Sequence, residues 1–61
     1  MKYRVCVGNR VFGEYEGKKK CEEVQASLVD VYVGEEISIR YKNGNIVPKT
    51  QVLGHKLREV M

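Results

Sequence analysis

The chain has 61 residues and a mass of 7.0 kDa, which leaves room for one small domain, residues 1–61, with a single thin core. Hydrophobic residues make up 43% and charged residues 31% of the chain, so wholesale disorder is excluded. A formal net charge of +3 and a pI near 9.0 make the chain mildly basic, which permits an acidic partner without requiring one.

The N-terminal composition and the cysteines predict an intracellular protein. The chain begins Met1-Lys2-Tyr3, and no apolar run of signal-peptide length follows. Cys6 and Cys21 are therefore expected to be reduced thiols, in the cytoplasm or elsewhere inside the cell, although a bridge between them stays open. No segment approaches the roughly 20 apolar residues of a membrane span, so no membrane partner is expected.

The first predicted element is an antiparallel hairpin. A three-residue loop at 8–10 brings small and apolar side chains together on one face, in the pairs Val7–Val11, Val5–Gly13 and Tyr3–Tyr15. The same register brings opposite charges together on the other face, in the pairs Arg4–Glu14 and Lys2–Glu16. A two-residue turn of Gly8 and Asn9 is the competing choice, and it would mix Arg10 and Glu14 with the apolar face.

Residues 18–28 fit both a helix and a strand. Cys21, Val24 and Leu28 recur at helical spacing, among residues that favour helices. However, no capping residue precedes them, and the lysines at 18–20 would oppose the helix dipole. We favour a long strand over about 24–33, with a bulge near 28–29. The alternative is an α+β fold, a hairpin-helix-hairpin with the helix at about 18–29.

Residues 29–46 predict an antiparallel sheet of three short strands with the sequences VDVYV, EISIRYK and the start of NIV. A loop at 34–36 and a type I′ turn at 43–44 separate them, and this register keeps Asp30 off the apolar face and opposite Arg40. The predicted pairs are Val33–Ile37, Val31–Ile39, Val29–Tyr41, Tyr41–Ile46 and Arg40–Val47. The predicted core face consists of Val29, Val31, Val33, Ile37, Ile39, Tyr41 and Ile46.

The C-terminal segment 50–61 has apolar residues along one helical stripe, which predicts a short helix capping the open end of the sheet. Gly54 weakens its first turn, so a helix that begins after Gly54 is equally defensible. His55 is the only histidine, and one histidine with two distant cysteines does not form a zinc site. We expect neither a metal nor another cofactor.

Catalysis is disfavoured by the motifs that the sequence lacks. No histidine or activated cysteine lies in a recognisable nucleophile context, and GEYEGKKK has neither the spacing nor the final Ser or Thr of a phosphate loop. The neighbouring carboxylates at 22–23 and 35–36 would point to different sides of a strand and would not converge. We therefore expect a binding protein and not an enzyme.

The strings VQASLVDV, ISIRYKNGN and VPKTQVL resemble the central meander of Tudor-type SH3-like barrels, over about residues 11–53. The resemblance implies a small barrel that binds peptides, often methylated on Arg or Lys, through an aromatic cage. By position the cage would use Tyr15, Val24, Asn43 and Asn45, of which only Tyr15 is aromatic. Core filling opposite Tyr3 is the favoured role of Tyr15.

The layout of a hairpin, a three-stranded sheet and a C-terminal helical segment is also similar to that of the seven-kilodalton archaeal chromatin proteins. This resemblance implies DNA binding through the outer face of the sheet, which in the predicted register carries Tyr32, Ser38, Arg40, Lys42, Val47 and Lys49. Cations neutralise phosphates, and a ring can stack on a base. The candidate nucleic-acid-binding residues on this face are Tyr32, Arg40, Lys42 and Lys49. The charge run Lys18, Lys19 and Lys20 is a further candidate, because its ammonium groups would attract an anion from a helix start or from a loop.

The sequence as a whole predicts a mostly β domain, an SH3-like barrel built from the N-terminal hairpin and a three-stranded antiparallel sheet, with a short C-terminal helix. The predicted function is nucleic-acid binding without catalysis, through phosphates on the basic outer sheet face. The alternative is a protein-interaction module, either a Tudor-like peptide binder or a small inhibitor or adaptor, that uses Cys6, Phe12 and Tyr15. An exposed edge strand would also allow a homodimer.

Overall fold

The computed structural model describes residues 1–55, which form four antiparallel strands and one helix. The elements in chain order are β1 (Lys2–Val7), β2 (Arg10–Glu16), α1 (Lys18–Val29), β3 (Glu36–Arg40) and β4 (Val52–Leu53). The strand order is β2-β1-β3-β4. The prediction of a small β-rich domain with an antiparallel sheet is confirmed. β2 and β4 end the strand order, and no strand pairing within residues 1–55 closes the sheet into a barrel.

The N-terminal hairpin turns through two residues and not through the predicted three-residue loop. Val7 pairs with Arg10, so only residues 8–9 lie between the paired positions, and the predicted Val7–Val11 pair is wrong. Gly8 has a φ of 59°, the left-handed conformation that tight hairpin turns require. The competing choice at the sequence level is therefore the correct turn.

A β-bulge at Phe12 restores the predicted pairing beyond this turn. The register shifts between Val5 and Cys6, where β2 has one residue more than β1. The remaining pairs are those predicted, Val5–Gly13, Arg4–Glu14, Tyr3–Tyr15 and Lys2–Glu16. The bulge keeps Glu14 off the core face and so removes the objection to a two-residue turn.

Residues 18–29 form α1, so the favoured strand over 24–33 is wrong and the alternative helix is correct. The helix has no side-chain cap hydrogen bond and no acidic residue in its first turn, as its sequence indicates. Burial of one face outweighs this poor start, because packing provides most of the stability of a helix in a protein. The side chains buried on that face are Cys21, Gln25, Leu28 and Val29.

Residues 30–35 form a turn, so the first strand of the predicted three-stranded sheet does not exist. The N–H groups of Val31 and Tyr32 both donate to Leu28 O, at 3.0 and 2.9 Å, at the end of the helix. Val31 and Val33, predicted in the core, are 67% and 53% exposed. β3 pairs with β1 instead, through Arg4–Arg40, Val5–Ile39, Cys6–Ser38 and Val7–Ile37. The predicted pairs Val33–Ile37, Val31–Ile39, Val29–Tyr41 and Asp30–Arg40 are therefore wrong.

The chain reverses near the second predicted turn, but the predicted type I′ turn at 43–44 is wrong, because only Gly44 of these two residues has a positive φ, of 94°. The pairing that follows is shifted by one residue. The chain reverses at 41–45, where the N–H of Tyr41 donates to Asn45 O at 2.9 Å. Ile46 pairs with Arg40, so the predicted Tyr41–Ile46 and Arg40–Val47 pairs are wrong. The shift moves Val47 from the outer face into the core, where it is 3% exposed.

The hydrophobic core lies between α1 and one face of the sheet. Its buried residues are Val5, Val7, Cys21, Leu28, Val29, Ile37, Ile39 and Val47. Because side chains alternate along a strand, Cys6 and Ser38 lie on the other face, at its centre. We call this other face the outer face. Cys6 and Cys21 are free, buried thiols on opposite sides of the sheet.

Two buried polar side chains connect α1, β3 and the segment after the second turn. Gln25 Nε2 donates to Ile37 O at 2.9 Å and to Thr50 O at 2.5 Å. Thr50 Oγ1 donates to Val47 O at 2.7 Å and to Ile39 O at 3.3 Å. The carbonyl groups of Ile37 and Ile39 point away from β1. Ile39 O also accepts from the N–H of Val47 at 2.8 Å, and Ile37 pairs with Val52 in β4, so the two side chains add to the backbone pairing at this edge of β3.

The segment after Thr50 forms β4, where the first turn of the predicted C-terminal helix was expected. β4 pairs antiparallel with the beginning of β3. Gly54 then packs against the turn at 30–35, since its carbonyl accepts from the N–H of Gly34 at 2.9 Å and its own N–H donates to Glu35 O at 2.8 Å. The rest of the predicted helix, residues 56–61, lies outside the described residues.

Candidate functional site

Lysine and arginine side chains gather at one end of the sheet. β1 begins and β2 and β3 end there, because Lys2 pairs with Glu16 and Arg4 pairs with Arg40. α1 begins there as well, since the N–H of Gly17 donates to the carbonyl of residue 1 at 2.9 Å. We call this end of the molecule the basic end. Its cationic side chains are those of Lys2, Arg4, Lys18, Lys19, Lys20, Arg40 and Lys42.

The turn at 41–45 places Lys42 at the basic end. Lys42 follows Arg40 by two residues and is exposed in the turn. The rings of Tyr41 and Tyr3 have their centroids 5.8 Å apart, so the turn packs against the beginning of β1. Lys42 and the lysines of α1 therefore reach the same end of the fold from distant parts of the sequence.

Carboxylates at the basic end neutralise only part of its charge. Glu16 accepts a hydrogen bond from the terminal ammonium of Met1, and this bond and the ammonium charge lower the pKa of the Glu16 carboxyl. Glu14 lies opposite Arg4 in the hairpin, and the carboxylates at 22–23 are exposed on α1. The lysines of α1 form no ion pair with any residue in the 1–55 range, so their ammonium groups face water.

Two guanidinium groups share the outer face at the basic end. Arg4 and Arg40 lie at directly opposite positions on β1 and β3, where like charges repel each other. Arg40 Nη1 donates to Gly44 O at 3.2 Å and its Nε to Ser38 Oγ at 3.4 Å. These bonds orient the Arg40 guanidinium beside the turn at 41–45. β3 pairs with β1, so Arg40 is not opposite Asp30, the position predicted from the sequence.

Three of the residues predicted on the outer face lie elsewhere: Tyr32, Val47 and Lys49. Tyr32 follows α1 and packs against the core, with its ring centroid 6.5 Å from that of Phe12. Val47 is a core residue, and Lys49 is exposed beside the middle of β3 with a φ of 64°. The structure therefore brings together the lysines of α1, Arg40 and Lys42, but neither Tyr32 nor Lys49.

Sequence reasoning missed Lys2 and Arg4 as candidate binding residues. Their place on the face opposite the core was predicted correctly from the alternation of the first hairpin. What the sequence did not indicate is that β1 pairs with β3, and only this pairing brings Arg4 beside Arg40. A pairing of strands so distant along the chain has no local signal.

An open pocket of about 220 Å³, lined by apolar and aromatic side chains and one arginine, lies at the end of the sheet opposite the basic end. Its lining residues are Val7, Arg10, Val11, Phe12 and Tyr32. Phe12 is 47% exposed because the bulge turns it out of the regular ladder. Of the three residues predicted for protein binding, only Phe12 lines this pocket. Cys6 is buried on the outer face, and Tyr15 is half-buried against the core.

The positions expected for an aromatic cage lie on three different elements. Val24 is on α1, Asn43 and Asn45 are in the second turn, and Tyr15 is on β2. A Cβ added at Gly13 would lie 2.6 Å from Tyr15 Oη, so the Tyr15 ring lies over Gly13 and packs against the core. Tyr15 therefore has the core role that the sequence favoured.

The described residues contain no cluster of metal ligands and no exposed thiol. No group of three or more His, Cys, Asp or Glu within residues 1–55 is arranged to hold a metal ion. Burial raises the pKa of the Cys21 thiol, which disfavours the reactive thiolate. No helix in this part of the chain has both the length and the apolar character needed to cross a membrane.

Comparisons of this chain with protein-family models, curated proteins and solved structures give no match. The resemblances to Tudor-type barrels and to archaeal chromatin proteins therefore rest only on short sequence strings and on a predicted layout whose three-stranded sheet over 29–46 does not form. What the chain binds must be inferred from the charge, exposure and geometry of residues 1–55, where the basic end and the pocket are the two distinctive surfaces.

Proposed function

We propose that this protein is a nucleic-acid-binding domain without catalytic activity, and that it contacts phosphates through the basic end. The supporting observation is the convergence of the lysines at 18–20, Lys42 and the Arg4–Arg40 pair on one end of the sheet. These residues belong to separate elements, so they form one surface only in the folded chain. Lysine and arginine contacts to phosphates provide most of the affinity of non-specific nucleic-acid binding.

The beginning of α1 adds positive potential to this surface. The first N–H groups of a helix have no partner within the helix and carry partial positive charge. Here no side chain caps them, and the lysines at 18–20 are in the same turn. A bound phosphate would accept from these N–H groups and offset the repulsion among the lysines. The feature that disfavoured a helix at the sequence level is therefore favourable in a complex.

Contacts of this kind recognise the phosphate backbone and not the bases. The ring predicted to stack on bases, that of Tyr32, lies at the other end of the sheet. Lysine and arginine contacts to phosphate position a protein on a duplex but carry no sequence information. We therefore expect similar affinities for duplexes of unrelated sequence.

The salt dependence of binding to a DNA duplex of about 20 base pairs tests the proposal. The logarithm of affinity falls with the logarithm of salt concentration, with a slope of about −0.9 for each phosphate neutralised. With about four phosphates contacted, affinity should fall roughly 100-fold between about 50 and 200 mM salt. Absence of binding at the lower salt concentration would contradict the proposal.

A matched pair of double variants locates the contact surface. Lys19→Gln with Lys42→Gln removes two charges from the basic end, and we expect it to reduce the salt slope by about two. Arg10→Gln with Lys49→Gln removes the same charge elsewhere, and the slope should be unchanged. Equal effects of the two variants would mean that net charge, and not the basic end, governs binding.

The predicted SH3-like barrel would be a closed form of the observed four-stranded sheet. A closed barrel would require a hydrogen-bonded partner for the free edge of β2. Backbone amide exchange tests this, because the amides of Glu14 and Glu16 would then be protected in the protein alone. Fast exchange at both amides would favour the open sheet. Phosphate binding at the basic end requires only the open sheet.

A further inference from the structure

Within residues 1–55, one edge of β2 has no partner strand, so its backbone groups are available for pairing. β2 is the first strand in the order β2-β1-β3-β4 and pairs on one side only within residues 1–55. The N–H of Gly17 donates to the carbonyl of residue 1, and hydrogen-bonded pairs alternate along an antiparallel ladder. It follows that Glu14 and Glu16 direct their N–H and C=O groups away from β1. Such a row is a template for strand addition.

The side chains of Glu14 and Glu16 bring two carboxylates to the outer face of this edge, and that of Glu16 also accepts a hydrogen bond from the terminal ammonium of Met1. Both side chains are exposed. Arg4 and Lys2 lie opposite them on the neighbouring strand, β1. A strand added beside β2 would place the Cβ atoms of its own residues about 5 Å from those of Glu14 and Glu16. Lysine or arginine at those positions would be attracted, and acidic residues would be repelled.

The other end of β2 leads into the pocket. The bulge at Phe12 exposes this ring beside that of Tyr32, and Arg10 lies at the same site. Arg10 is the only charged residue among the described residues that line the pocket. Its side chain is exposed and has no ion pair with any part of the described chain. The site therefore suits an apolar side chain followed by a carboxylate.

We propose that β2 binds an extended segment of another protein as a fifth, antiparallel strand. The segment carries basic residues at alternate positions opposite Glu16 and Glu14, then an apolar residue for the pocket, then an acidic residue near Arg10. Antiparallel pairing is the slightly stronger arrangement, and it fixes this order from the N-terminus to the C-terminus of the segment. The site begins at the basic end, where Glu16 lies, extends along β2 to the pocket, and goes beyond nucleic-acid binding.

Charge argues against a second copy of this chain as the occupant. The regular part of the β2 edge, 13–16, can pair with itself only if residues on the same face lie opposite each other. Pairing centred on Glu14 brings that residue opposite its copy, and pairing centred on Tyr15 brings Glu14 opposite Glu16. Both arrangements juxtapose carboxylates, which is unfavourable. A basic partner strand has no such cost.

Two capped peptides of equal net charge test the proposal by nuclear magnetic resonance. The first has the sequence Lys-Thr-Lys-Leu-Val-Asp-Glu, and the second, Glu-Thr-Glu-Leu-Val-Lys-Lys, reverses every charge. We expect the first to bind at least tenfold more tightly and to slow amide exchange at Glu14 and Glu16. Equal binding of the two peptides, or saturation without this protection, would overturn the proposal.

Variants at exposed positions provide the controls. Glu14→Lys should reverse the preference between the two peptides, because only the sign of the edge charge changes. Phe12→Ala should weaken the first peptide about tenfold while leaving the amide spectrum of the sheet intact. A Glu14→Lys protein that keeps the original preference would contradict the charge pattern, and so would a wild-type protein that dimerises through β2 in place of peptide binding.

Discussion

At the scale of single residues, Gly54 imposes the tightest steric requirement among the glycines. A Cβ at this position would lie 1.9 Å from Tyr32 O and 3.2 Å from Val29 O. Both are backbone atoms at the end of α1 and in the turn after it, so they cannot move without displacing that turn. Gly44 differs, because its φ of 94° favours glycine while no atom lies within 4 Å of an added Cβ.

Gly54→Ala should therefore destabilise the protein more than Gly44→Ala. We expect a loss of about 3 kcal/mol from steric overlap at Gly54. Gly44→Ala should cost about 1 kcal/mol, from backbone strain alone. Urea denaturation of the two variants measures the difference, and a larger loss for Gly44→Ala would contradict the packing of β4 against the end of α1.

At the scale of elements, the buried side chain of Gln25 connects α1 to the edge of β3 by a hydrogen bond. Its amide donates to Ile37 O and to Thr50 O, and the side chain is only 6% exposed. A buried carbonyl that loses its donor has no access to water in compensation. The helix therefore depends on a polar contact as well as on its apolar face.

Gln25→Leu should cost about 2 kcal/mol of unfolding free energy, because two buried carbonyl groups lose a donor. Ser27→Ala is the matched control. Ser27 is exposed on the same helix, and its hydroxyl bonds only to the carbonyls of Glu23 and Val24 within α1. Chemical denaturation of both variants measures the cost, and equal stabilities would show that the Gln25 bonds contribute little.

The sequence predicts those elements whose formation depends on interactions between residues close together in the chain. Most of the register of the first hairpin and the position of the second chain reversal were predicted, because alternation and turn residues act over a few positions. The helix at 18–29 was not predicted, because its residues favour helix and strand about equally. Burial of one helix face against the sheet determines the structure. The pairing of β1 with β3 was missed because the local pattern offered β3 a nearer partner in 29–33.

The candidate site was predictable to the same extent. The lysines at 18–20 were chosen as a run of charge, and Arg40 and Lys42 from the predicted outer face of the sheet. Arg4 joined them only through the pairing of β1 with β3. The pocket was not predicted because it depends on the bulge at Phe12. The bulge arises only when a two-residue turn is followed by the predicted register of the rest of the hairpin, and the sequence analysis considered these as alternatives.

At the scale of the whole molecule, β1 and β2 separate two surfaces of different chemistry. The basic end lies where β1 begins, and the pocket lies beside Val7, where β1 ends. β1 has six residues, which corresponds to roughly 20 Å of extended chain. That distance is about two Debye lengths at physiological salt, so charges at one end are largely screened from the other.

Changes at the pocket should therefore leave DNA binding unaffected. We expect Phe12→Ala to change the affinity for a DNA duplex by less than about twofold at about 150 mM salt. Fluorescence anisotropy of a labelled duplex, with the wild-type protein and with the variant, measures this. A larger change would require a rearrangement of the sheet.

The bulge at Phe12 also limits how long any partner strand can stay bound. A regular strand can follow β2 only over 13–16, where Glu14 and Glu16 offer two donors and two acceptors. Four hydrogen bonds of about 1 kcal/mol each correspond to a dissociation constant in the millimolar range before side chains contribute. Affinity that weak implies a lifetime of milliseconds or less, so the edge is suited to rapid exchange of partners and not to permanent assembly.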